Sequence, residues 1–119
     1  MACGFCYETC MSLFEDARRM APALSRGVSI VYILQLRSGK LYVGCSDDAE
    51  TRFCDHTAGA ACQTTKVDPP VAVLFVEIQA DYTQARRREV QIKKCSRAKK
   101  EALIAGDALR LRILSRSHD

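Results

Sequence analysis

Val28-Ser29-Ile30-Val31-Tyr32-Ile33-Leu34-Gln35-Leu36-Arg37-Ser38-Gly39-Lys40-Leu41-Tyr42-Val43-Gly44 is the stretch that decides the fold. Ile30, Tyr32, Leu34 and Leu36 alternate with Val31, Ile33 and Gln35, a period of two that reads as a β-strand. Ser38-Gly39 is a turn signal, so residues 40–44 read as the returning arm of a hairpin. Tyr32 and Tyr42 then sit one on each arm.

Working outward, the spacing beyond Gly44 becomes helical. Asp47 or Asp48 can cap a helix running to about Thr57, which Gly59 ends. Residues 60–70 read as a loop stopped by Pro69-Pro70, and the apolar run 71–78 as a third strand. A helix is expected over about 83–94, another from the Ser96 cap to Gly106, and a last short one from Asp107 to about Ser115. The order β-β-α-β-α-α-α predicts an α/β (α+β) domain over 28–119, a small three-stranded mixed or antiparallel sheet flanked by helices. Residues 1–27 show no strong periodicity, and Pro22 with Gly27 marks a boundary. They are expected to be an N-terminal appendage, disordered or foreign to the natural product, with 14–20 as a short helix.

The 119 residues fit one domain, and no apolar run approaches the roughly 18 residues of a membrane helix. Acidic and basic residues from Glu8 to Arg19 break any secretory h-region. Seven cysteines is an odd number, which excludes a complete intramolecular disulfide framework and points to a reduced, cytoplasmic protein of free thiols. Cys3, Cys6 and Cys10 form a zinc-like cluster but lack a nearby fourth ligand, so zinc is not expected there.

The net charge of +4 says little until it is located. Residues 84–100 hold Arg86, Arg87, Arg88, Lys93, Lys94, Arg97, Lys99 and Lys100 against Glu89 alone. Such a block suits either a phosphate-facing surface or a solvated helix face. The single carboxylate within it is out of place. Ala85, Glu89, Ile92 and Ser96 follow helical spacing, which puts Glu89 on an inward stripe. Arg52 and His56 share a stripe with Ala49 and Phe53 in the same way. A buried carboxylate must be protonated, ion-paired or bound to a cation. A divalent metal or a pair with Arg52 would each satisfy Glu89.

Ile30-Val31-Tyr32 followed by Tyr42-Val43-Gly44 resembles the two signature tripeptides of the GIY-YIG nuclease superfamily, with Ile30 in the place of the first glycine. Arg52, His56 and Glu89 follow in the family's order and local spacing. Residues 87–94 and 96–104 resemble its small, single-domain bacterial branch, related to the catalytic domains of excision-repair and structure-specific nucleases. The resemblance implies a metal-dependent endonuclease that hydrolyses phosphodiester bonds in DNA, structure-selective and of low sequence specificity. It also implies one divalent cation, magnesium or manganese, held by Glu89. Arg52 would hold the scissile phosphate. Tyr32 and Tyr42 would orient water and phosphate, with Tyr42 favoured as general base, and His56 would assist. Gly44 would let backbone and phosphate approach, while Lys93, Lys94, Arg97, Lys99 and Lys100 would contact backbone phosphates. In the 60–70 loop Thr65 keeps the family's threonine, while Asp68 and Pro69 stand where relatives carry arginines. The alternative is a nucleic-acid-binding module with the same fold and little cleavage. Branched, nicked or damaged DNA is the expected partner, with targeting by another protein or none.

Overall fold

In the computed structural model, residues 7–25, 27–58, 63–107, 109 and 112–113 are described. The hairpin forms as its alternation requires. Strand β1 (Ser29–Leu36) pairs antiparallel with β2 (Leu41–Ser46), placing Tyr32 opposite Gly44 and Leu34 opposite Tyr42. Gly39 takes a positive φ of 94° in the turn, a conformation that only glycine adopts without strain. Strand β3 (Pro70–Gln79) pairs with the other side of β1, again antiparallel, giving the order β2-β1-β3. Two register shifts, between Ile33 and Leu34 and between Gln35 and Leu36, mark bulges in β3.

The central strand is buried on both faces, and each face belongs to a separate core. Ile30, Tyr32, Leu34 and Leu36 pack with Ala49, Phe53 and Val73, whereas Val31 and Ile33 pack with Val43, Cys45, Ala85 and Ile92. Helix α2 (Ala49–Ala58) thus covers one face and α4 (Tyr82–Lys93) the other. Asp48 accepts from the Thr51 amide and hydroxyl at the start of α2. Asp81 caps α4 by accepting from the Gln84 amide, Ser96 caps α5 (Arg97–Ala105), and Gly106 closes α5 with a positive φ. The N-terminal caps hold amides that have no intrahelical partner, and the Gly106 amide does the same for carbonyls at the end of α5.

Three expectations need correcting. The 60–70 loop contains a short helix, α3 (Gln63–Val67). The N-terminal stretch is a helix of 14 residues, α1 (Tyr7–Met20), rather than a short one. It is also not peripheral, because Leu13, Ala17, Ala21 and Leu24 enter the core that holds Tyr32 and Phe53. Their spacing of four, four and three residues is an apolar helical stripe followed by a turn, hidden in sequence by the cysteine-rich start. That stripe packs against α2 and β3 and joins the core on this face of the sheet. Third, Cys54 is disulfide-bonded where a free thiol was expected, while Cys45 and Cys95 are free. An odd cysteine count excludes a complete framework, not a single bridge. The Cys3, Cys6 and Cys10 side chains and residue 62 lie outside the described residues, as does most of the helix expected over 107–115. Among the described residues, no helix is long and apolar enough to cross a membrane.

Candidate active site

Because β2 is an edge strand, side chains from both faces of the sheet meet around it. Tyr32, Tyr42, Gly44, Cys45, Arg52, Tyr82, Arg86 and Glu89 line one cleft of about 160 Å³. Tyr32 comes from the central strand, Tyr42 to Cys45 from the edge strand, Arg52 from α2, and the last three from α4. Four of the five expected catalytic side chains line this cleft directly, and the fifth, His56, lies beneath it. His56 Nε2 shares a buried hydrogen bond of 2.9 Å with the Tyr32 hydroxyl. The His56 ring also meets Tyr42 edge-on, centroids 5.1 Å apart, and Tyr32 meets Phe53 in the same way at 5.2 Å.

Burial sets the protonation of this pair. Tyr32 is only 1% exposed, and that desolvation pushes its phenol well above the ordinary tyrosine range; the neighbouring Tyr42 adds to the rise, against the opposing charge of Arg52. His56 is also 1% exposed, and its pKa falls to about 4, first through burial and then through the positive charge of Arg52. Both are therefore neutral near pH 7.

Glu89 is buried, at 7% exposure, as its stripe requires. Its protein partners are other than Arg52. Lys93 Nζ lies 2.9 Å from Oε2, Arg86 Nη1 lies 3.6 Å from Oε1, and the Cys45 thiol donates to Oε1 at 3.2 Å. Among the described residues Arg52 has no ion pair with Glu89. The two approach the cleft from opposite faces of the sheet, and helical spacing alone does not show which face a helix takes. Burial would raise the Glu89 carboxyl, but the Lys93 and Cys45 hydrogen bonds and the nearby cations outweigh it and hold the group below its usual range. Conversely, burial followed by the Glu89 carboxylate pushes the Cys45 thiol up.

Gly44 has a local role beside the one expected. A Cβ at this position would lie 2.6 Å from the Tyr32 hydroxyl oxygen and 2.7 Å from its ring carbon Cζ. The glycine leaves room for the tyrosine ring of the opposite strand, while its backbone still lines the cleft. The basic block separates into parts. Lys93 serves Glu89, Arg97 and Lys100 line a second cavity beside the hairpin turn, and Lys94 and Lys99 line neither. Arg88 is tied to Glu77 of β3 at 2.7 Å. Tyr82, Arg86 and Cys45 were missed in the sequence. For the first two a signal existed, since 82, 86 and 89 share one helical stripe.

Two tyrosines, an arginine and a buried carboxylate meet around an edge strand in one polar cleft. Residues 28–102 match the GIY-YIG catalytic domain, and the chain belongs to this nuclease family. It is similar to the UPF0213 protein of Halobacterium salinarum, 37% identical over 73 residues that cover 61% of this chain and 95% of that protein. The UPF0213 protein of Pseudomonas aeruginosa is 38% identical over 76 residues, 64% of this chain and 73% of the relative. The solution NMR structure of the UPF0213 protein from Bacillus halodurans is 29% identical, covering 67% of this chain and 85% of that one, with a TM-score of 0.45.

Proposed function

We propose that this protein is a divalent-metal-dependent endonuclease acting on phosphodiester bonds of DNA, selective for branched, nicked or damaged structure rather than for sequence. The observation that carries the reading is the meeting of Arg52, Tyr42 and Glu89, from three different elements, in one small polar cleft. The donor set fits magnesium or manganese. Such ions keep several waters and need only one or two carboxylates beside substrate phosphate. An ionised, nearly buried Glu89 at the cleft wall supplies one, and among the described residues no cluster of three His, Cys, Asp or Glu side chains offers a softer cage. A cation held by Glu89 supplies Lewis-acid stabilisation of the leaving 3′ oxygen.

The chain's own residues carry the remaining roles. Arg52 binds the scissile phosphate and offsets the charge that builds on it in the transition state. Tyr32 stays protonated, held by His56, and orients the phosphate or the attacking water. That leaves Tyr42, less buried and nearer solvent, to release its own proton to bulk water and then, as phenolate, accept the proton of the attacking water. Lys93 and the cations of α5 contact flanking phosphates without reading bases. A second reading, a binding module that cleaves little, is favoured by one observation: both oxygens of Glu89 are already engaged.

Incubation with nicked, flapped and branched DNA in magnesium or manganese distinguishes the two. Glu89→Ala is expected to abolish cleavage and leave binding largely intact. Equal cleavage by wild type and variant would show that the assigned site is wrong.

A further inference from the structure

The cleavage chemistry leaves a second cavity unexplained. Beside the hairpin turn, a depression of about 240 Å³ is lined by Lys40, Leu41, Arg97 and Lys100. Arg97 Nη2 donates to the Gly39 carbonyl at 3.2 Å, tying the first turn of α5 to the hairpin. Among the described residues neither Lys40 nor Lys100 has an ion-pair partner. Arg97 pairs with Glu101 at 2.9 Å, but both side chains are more than half exposed, where such a pair contributes little. Asp68 lies near Lys40, yet its carboxylate is occupied by the amide and hydroxyl of Ser38. Three cations around one hollow, with no carboxylate in its lining, suit an anion that offers several oxygens.

The placement of the hollow gives it a direction. Leu41 lines it, and the next residue, Tyr42, lines the catalytic cleft. Alongside β2, α4 carries Arg86 and then Lys93 past Glu89, and α5 begins with Arg97 at the turn. The cations therefore run beside the edge strand from the cleft to the hairpin. From Gly44 to Lys40 is four residues of extended chain, about 13 Å. Successive phosphates of one strand lie farther apart than their roughly 3.4 Å rise along the helix axis, so this distance is about two nucleotide steps.

We propose that the Lys40–Arg97–Lys100 hollow is a second phosphate subsite. It holds a backbone phosphate of the strand being cut, about two nucleotides from the scissile bond. The inference rests on the nuclease reading of the cleft and adds the path of the substrate, which leaves along β2 toward the turn.

The test uses the full chain and single-stranded oligonucleotides of increasing length, with binding followed by fluorescence anisotropy across a salt series. Wild-type affinity is expected to step up once the strand is long enough to reach both positions. The double variant Lys40→Gln, Lys100→Gln is expected to lack that step. On long strands its log–log salt slope should fall by about 1.4, two contacts at about 0.7 each. Short strands should bind both proteins alike. Unchanged binding of long strands, or equal weakening on short and long ones, overturns the subsite. If wild type cleaves yet shows no length step, the subsite alone fails. If wild type binds neither these strands nor nicked and branched DNA in a salt-dependent way, the nuclease reading fails with it. A thermal melt of the variant matching wild type confirms that any loss is one of contact rather than of folding.

Discussion

The Tyr32 hydroxyl and His56 Nε2 lie 2.9 Å apart beneath the cleft, both side chains almost wholly removed from solvent. Charging His56 there would mean desolvating an imidazolium beside Arg52, and its pKa accordingly falls from 6.5 to about 4. Between pH 6.5 and 4 the unfolded chain takes up this proton before the folded chain does. Stability must therefore fall as pH falls through that window, by roughly 3 kcal/mol, and level off below it. Glu89 and Asp68, held below their ordinary values, lose their contributions only at lower pH. Urea unfolding at pH 7 and near pH 4.5 checks this. His56→Gln should be less stable than wild type at pH 7 and much less sensitive to the change. An equal loss in both proteins would assign the effect elsewhere.

Gly44→Ala should be costly although alanine is the smallest change available. The new methyl carbon would meet the Tyr32 hydroxyl at 2.6 Å and its ring at 2.7–3.0 Å, well inside contact distance. Overpacking of this kind costs about 1–3 kcal/mol. Adding Tyr32→Leu opens the space, so the double variant should lose less stability than the two single losses added together. Chemical denaturation of the four proteins gives the coupling directly; simple additivity would contradict the contact.

Leu13→Ala tests whether α1 is part of the folded unit. Leu13 is 2% exposed in the core shared with Tyr32 and Phe53. Truncation there should cost about 2–5 kcal/mol and lower the melting temperature accordingly. A change within about 0.5 kcal/mol, ordinary for a surface position, would return α1 to the status of an appendage.

Lys93 is a built-in competitor for the cation that Glu89 would hold. Its ammonium lies 2.9 Å from Oε2, although the lysine is half exposed and thus partly screened. Lys93→Met should raise manganese affinity several-fold in calorimetric titration of the protein without nucleic acid. Unchanged or weaker affinity would mean that Lys93 does not occupy the ligand position.

The hairpin, the third strand and the two capped helices after it were legible because each rests on local signals: alternation, a Ser-Gly turn, and Ser96 and Gly106 at the helix ends. The buried position of Glu89 was legible from its stripe. Its neighbours were not. Spacing shows that Arg52 and Glu89 both point inward, but only the strand order shows that they come from opposite faces. Helix α1 was read as short and peripheral because a cluster of cysteines precedes its stripe and draws attention to metal chemistry. The cost of a side chain at Gly44 depends on a ring twelve residues away, visible only once the register is known.

The two cores have a consequence for the walls of the cleft. Tyr32 and the helix bearing Arg52 belong to one, while Cys45 and the helix bearing Glu89 belong to the other, with a single sheet between them. Each wall is thus seated on its own face of the sheet, and the site exists only where the two meet at the rim of β2.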